Sequence, residues 1–210
     1  MTRSADAELR ALRRELWLQV VLLGGLIAVL WGVEIVDAFA FGGRLDGMGI
    51  RPRTPEGLQG ILVAPFLHGG FPHLVANTVP LIVLGWLVLL RDARQFIGVL
   101  AVTTLVGGFG VWLLGRPGSV HIGASLWVFG LLGYLLAAGW FERKLGTILL
   151  SLFVFALYGG ALWGVLPGER GVSWESHLFG FAAGVFAARA FLGGPRRRRA
   201  RRRRARRLTL

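Results

Sequence analysis

Long apolar runs separated by short polar breaks organise this chain. Six can be read, at approximately residues 16–39, 72–90, 95–114, 124–140, 146–166 and 174–192. Each approaches the roughly 20 apolar residues that a helix needs to cross the hydrocarbon core of a bilayer. Gly and Pro recur inside the runs, as membrane helices tolerate when neighbouring helices resatisfy the backbone. The pattern predicts an all-α polytopic membrane protein, a bundle of six transmembrane helices occupying residues 16–193. Residues 1–15 precede the body, and Ala5–Glu15 reads as a short amphipathic cytoplasmic helix. Residues 194–210 form an Arg-rich tail.

Composition supports the same class. Apolar residues make up 54% of the chain and charged residues only 17%, where a soluble domain carries about a quarter. The net charge of +13 is mostly an end effect. Ten of the 24 basic residues are arginines between Arg196 and Arg207; without them 14 basic residues face 11 acidic ones. Cysteine is absent, which excludes a disulfide framework and a thiolate metal site. Lys144 is the single lysine, an arginine bias that suggests a GC-rich bacterial genome.

Orientation follows from basic residues near the span ends. With the N-terminus inside, 19 basic residues fall on the cytoplasmic side and 5 outside, or 9 against 5 without the tail. Both termini are therefore expected in the cytoplasm of a bacterial cell, with the body in the plasma membrane. Ala38-Phe39-Ala40 has the look of a cleavage site, but the apolar run before it is long for a signal peptide. The first span is expected to be retained. Phe41–Phe71 is a long outside connection, a kind of loop that is functional or disordered.

Candidate chemistry gathers at the outer ends of the spans. All four histidines, His68, His73, His121 and His177, fall there, and polar groups at membrane depth are costly enough to suggest a functional site. Ser125 opens the fourth span after the small residues Gly123 and Ala124. His177 tops a line of small residues, Gly180, Gly184 and Ala188, at i+3, i+7 and i+11. Such a groove permits close helix packing, and if it receives the fourth span, His177 comes within hydrogen-bond reach of Ser125. A serine hydroxyl is a weak nucleophile until a base takes its proton. Glu175 lies two residues before His177 and points to the other helix face, so a Ser–His dyad fits better than a triad. His73 and Asn77, at i and i+4 in the second span, can both donate hydrogen bonds. With the Ser125 backbone N–H they could form an oxyanion hole. The structural alternatives are that Ser125 caps a helix, His177 fills an interface, and His73 and Asn77 bridge helices.

The runs His68-Gly-Gly-Phe-Pro-His73-Leu-Val-Ala-Asn77, His121-Ile-Gly-Ala-Ser125 and Ser173-Trp-Glu-Ser-His177-Leu-Phe-Gly180-Phe-Ala-Ala-Gly184 resemble the rhomboid intramembrane serine proteases. The likeness covers the whole six-span body in the right order. It implies a short fourth helix starting at the nucleophile and a water-filled cavity open to the outside. It also implies a first loop lying partly in the outer leaflet, and single-pass membrane protein substrates cut near their outer boundary. Residue by residue, it gives Ser125 the nucleophile's place, His177 the general base's, and His73, Asn77 and Gly123 the oxyanion region. Three departures stand out. Leu126 replaces the usual Gly after the serine and adds bulk beside the nucleophile. Phe129 replaces a frequent Tyr; it can stack on the histidine but cannot donate a hydrogen bond. The Trp-Arg pair common in the first loop has no counterpart around Gln59-Gly60.

Rival readings remain. A rhomboid-like protein that binds membrane clients without cutting them is one, and Leu126 is the feature that argues for it. A small transporter or a histidine metal site is another, but there is no HExxH, no carboxylate within the spans near His68 and His73, and no evident internal repeat. No cofactor and no metal are expected. The Arg tail is expected to hold anionic lipid; nucleic acid fits it less well, because the tail lacks aromatic residues.

Overall fold

The computed structural model describes residues 2–168 and 173–193. The Arg-rich tail and Arg170 lie outside those residues. The helices are α1 (Thr2–Val36), α2 (Pro55–Val63), α3 (Phe71–Leu89), α4 (Ala93–Val102), α5 (Gly108–Leu114), α6 (Ser125–Glu142), α7 (Leu145–Tyr158) and α8 (Trp174–Leu192). A π-helical turn, Thr103–Gly107, joins α4 and α5 into one span, and a 3₁₀ segment, Gly159–Val165, extends α7. Five stretches are long and apolar enough to cross a membrane: Asp6–Phe41, Phe71–Leu89, Ala93–Leu114, Ser125–Glu142 and Leu145–Val165. The protein is an all-α, multi-pass membrane protein.

The sixth expected span, α8, is 19 residues long but less apolar. Glu175, Ser176, His177 and Arg189 interrupt it, and Gly and Ala take much of the rest. It sits in the bundle because its small residues accept α6. A Cβ on Gly180 would lie 2.5 Å from the Leu126 carbonyl oxygen, and one on Gly184 only 1.9 Å from that of Gly130. On the facing helix, a Cβ on Gly133 would meet the Phe181 carbonyl oxygen at 2.4 Å. The two backbones touch, as the line of small residues below His177 predicts. Close approach of this kind lets membrane helices associate by packing where lipid offers no hydrophobic drive. The result is that α6 is buried around most of its circumference, from Ser125 to Gly139, as a helix that is apolar all round should be.

The remaining elements wrap this pair. Along α1, no proline or paired glycine marks the Glu15–Leu16 junction, so the separate amphipathic helix expected over Ala5–Glu15 is continuous with the first span. α1 docks on α3 through Trp31 Nε1 to Thr78 Oγ1 (3.2 Å) and Trp86 Nε1 to Gln19 Oε1 (3.1 Å). The long first loop is ordered. Thr54 caps α2, accepting from Gly57 N–H at 3.1 Å. Gly60 lets α2 lie directly on the Gly49 carbonyl. In place of a Trp-Arg pair, the loop is fastened by the Trp112 indole donating to the Thr54 carbonyl (2.8 Å) and by an antiparallel bridge between Ile50 and His121.

Gly184→Ala should lower stability by about 3 kcal/mol, the upper end of the usual overpacking cost, because its new methyl meets backbone that cannot rotate away. Thermal unfolding in detergent is the check. Gly146→Ala, where a Cβ meets nothing within 4 Å, should leave the midpoint unchanged.

Candidate active site

Ser125 is the first residue of α6, and its approach is fixed from three sides. Gly123 has φ +111°, a conformation that side-chain-bearing residues rarely adopt. Its N–H donates to the Ala64 carbonyl at 2.9 Å. The next N–H, that of Ala124, donates to His68 Nε2 at 3.1 Å. The Trp127 and Val128 N–H groups donate to the Ala124 carbonyl at 2.9 and 3.0 Å, whereas the Ser125 N–H, at the first helical position, has no carbonyl within the helix to reach. No side-chain cap closes this helix start, so the capping role for Ser125 is not what the fold uses.

Ser125, His177, His73 and Asn77 all line one cavity of about 680 Å³. That volume is within the usual range for ligand clefts. The walls are Gly, Ala, Val, Leu, Ile, Pro, Phe129 and Tyr158, with Ser173 at the α8 end.

The two histidines are held in opposite tautomers. His177 Nδ1 lies 2.9 Å from the Gly164 carbonyl oxygen. A carbonyl can only accept, so Nδ1 carries the proton and Nε2 presents a lone pair. His73 Nδ1 instead accepts from the Gly69 N–H at 3.3 Å, which puts its proton on Nε2. That atom would lie 2.8 Å from a Cβ on Gly123, and Asn77 Nδ2 would lie 3.6 Å from it. Two donors thus crowd the glycine two residues ahead of Ser125. Asn77 Nδ2 also donates to the His73 carbonyl (3.2 Å), which fixes the orientation of its amide. Phe129 stacks on the His177 ring, centroids 4.1 Å apart and planes 10° apart, as its position suggests.

The reach expected between Ser125 and His177 is only partly met. Both line the cavity, yet no hydrogen bond joins them among those the described residues form. Leu126 differs more clearly from expectation. It packs with Ile50, Ile61, Ala64 and Val111 beneath the first loop, and it does not line the cavity. One residue along a helix turns the side chain by about 100°, which carries it off the Ser125 face. Glu175 is turned from His177 and pairs with Arg116 at 2.7 Å.

Sequence reasoning missed several contributors. Gly164 acts through a backbone carbonyl, which leaves no residue-type signal. His68 was visible as a histidine, but its bond to the Ala124 N–H is a tertiary fact. Carboxylates do approach the His68–His73 turn, contrary to expectation: Asp46 lies beside Gly69 and Glu34 beside Gly70, with Asp37 next to both carboxylates. Glu34 and Asp37 are each 3% exposed, and burial together with Asp37 pushes the Asp46 carboxyl above its usual range. Among the described residues no group of His, Asp or Glu is arranged to hold a metal ion.

His68 makes a pH dependence. Burial, then the neighbouring His73, lowers its pKa from 6.5 to about 4. Its Nδ1 lies beside the Phe66 carbonyl without reaching hydrogen-bond geometry. The folded chain keeps this ring neutral while the unfolded chain protonates it near pH 6.5. Stability from this site is therefore constant above that pH and falls by about 3 kcal/mol as pH drops towards 4. His68→Gln, which keeps an acceptor and cannot titrate, should lose that slope in thermal unfolding measured across this range.

A model of the Rhomboid domain matches residues 55–194. An uncharacterised protein of Mycobacterium tuberculosis is 45% identical over 180 residues, covering 82% of this chain and 74% of its own. RHOMBOID-like protein 4 of Arabidopsis thaliana is 35% identical over 151 residues, 67% of this chain and 36% of its own. A provisionally named rhomboid protease of Bacillus subtilis is 28% identical over 130 residues, 59% of this chain and 62% of its own. With its helix order, its central α6–α8 pair and this match across two thirds of its length, the chain belongs to the rhomboid family.

Proposed function

We propose that the protein is an intramembrane serine protease that hydrolyses peptide bonds of single-pass membrane proteins through a Ser125–His177 dyad. The observation that carries this reading is the pair of opposite tautomers around one cavity: His177 presents a base, His73 a donor, and Ser125 lies between their helices. In the reaction, Ser125 Oγ attacks the scissile carbonyl carbon while His177 Nε2 takes its proton. The oxyanion that forms is met by His73 Nε2–H, Asn77 Nδ2–H and the Ser125 N–H. His177 then gives its proton to the leaving amine, and the peptide C–N bond breaks to leave an acyl-serine. Water, deprotonated by the same nitrogen, attacks the ester and restores Ser125. The Ser125–His177 hydrogen bond, absent from the unliganded site, forms on substrate binding, as catalytic hydrogen bonds commonly reach good geometry only with substrate present.

The setting we propose is a bacterial plasma membrane with both termini cytoplasmic, the cavity opening outward, and the Arg tail on anionic lipid. The non-cleaving alternative rested on Leu126, which packs away from the cavity and so loses its argument.

A fluorophosphonate probe should label the wild type in liposomes, and a model single-pass substrate should be cut. Ser125→Ala and His177→Ala should abolish both. Asn77→Ala should slow cleavage by about 10²-fold, the typical cost of one oxyanion donor, with unfolding unchanged. An unlabelled wild type that also leaves such substrates whole would sink the protease reading.

A further inference from the structure

Ser125 and His177 sit on different helices, and no direct bond holds the two in register. Above the glycine contact of α6 and α8, polar contacts between the two helix starts converge on one residue that does not itself line the cavity. His121 belongs to the segment leading into Ser125. Its backbone is bridged to the first loop, with N–H to the Ile50 carbonyl at 2.9 Å and its carbonyl to Ile50 N–H at 3.0 Å. Its ring, 2% exposed, reaches across to α8: Nδ1 lies 2.6 Å from Ser173 Oγ. Nε2 lies 2.8 Å from Ser119 Oγ. Ser173 is the N-cap of α8, accepting from Ser176 N–H at 3.2 Å and donating to Ser176 Oγ at 2.7 Å. Its carbonyl accepts from His177 N–H, also at 3.2 Å. The Arg116–Glu175 pair ties the same two segments a second time.

We infer that His121 is a positioning residue that clamps the first turn of α8 to the lead-in of α6 and so sets the distance between His177 and Ser125. Its ring takes no part in proton transfer. It joins the first loop, the serine segment and the histidine helix through one backbone bridge and one Nδ1 contact. This inference rests on the protease reading, because the register matters only if the two residues react together.

The test compares wild type with His121→Ala, His121→Asn, His121→Gln, Ser173→Ala and His121→Ala/Ser173→Ala, measuring kcat and KM on a single-pass substrate in liposomes. His121→Ala and Ser173→Ala should each lower kcat by about 10- to 100-fold, the scale of a 1 Å misplacement, with KM within about twofold. The double variant should be no worse than the worse single one, because the two act as one unit. Asn places a polar atom where Nδ1 was and should restore kcat to within about threefold, whereas Gln, which replaces Nε2, should not. Amide exchange at Ser176 and His177 should quicken in His121→Ala while that of α6 stays slow. Unchanged kcat, additive losses, or rescue by Gln and not by Asn each overturn the clamp while leaving the protease reading standing. If His121→Ala fails to fold, Ser173→Ala, which leaves the buried ring in place, decides alone. A wild type that neither labels nor cleaves overturns both.

Discussion

The contact between the backbones of α6 and α8 is the constraint on which the rest of the structure depends. Its closeness is possible because Gly133, Gly180 and Gly184 present no side chain where the helices meet. This brings the helix that starts at Ser125 beside the helix that carries His177. It also leaves α6 with little lipid contact, so the other spans pack around it as a sheath. Glu175 and Ser176 of α8 are accommodated because this sheath and its partner cover them, while Arg189, in the last turn, is exposed.

Above that contact, polar groups are satisfied by backbone wherever possible. Gly164 receives His177, Gly69 donates to His73, and Ala124 donates to His68. Each bond picks one tautomer, so three similar side chains acquire three different behaviours: a free lone pair, a free donor and a structural acceptor. Backbone partners are well suited to this, since their positions are set by helix ends and turns rather than by rotamers.

Much of this was legible in the residues. Period and apolar length revealed the spans, and the small residues at i+3 and i+7 from His177 foretold which face would meet α6. Asn77 was placed by simple helical spacing from His73, and Phe129 by the resemblance to the rhomboid family. What escaped is instructive in kind. Leu126 was read as a neighbour of Ser125 in sequence, while its helical angle sends it into a separate apolar cluster below the first loop. Gly164, and the approach of Asp46 to Gly69 and of Glu34 to Gly70, depend on loops folding back over tens of residues. No local pattern encodes such returns. The length of α1 was missed for the opposite reason: a change from polar to apolar composition at Glu15 was taken as a structural boundary, and the backbone has none there.

In the reaction proposed for Ser125 and His177, a carbonyl holds His177 Nδ1 where a Ser-His-Asp triad has a carboxylate, and this has an electrical consequence. Among the described residues, the walls of the cavity contain no Asp, Glu, Lys or Arg, and they bring no formal charge to the resting site. A fixed anion beside His177 would have to be desolvated in every folded molecule, whether or not it was working. Here charge separation would arise only during turnover, as an imidazolium and an oxyanion created a few ångströms apart. In surroundings of low polarity such a pair attracts far more strongly than in water. On the proposed reading, the fold thereby confines the expense of ionisation to the moment of reaction.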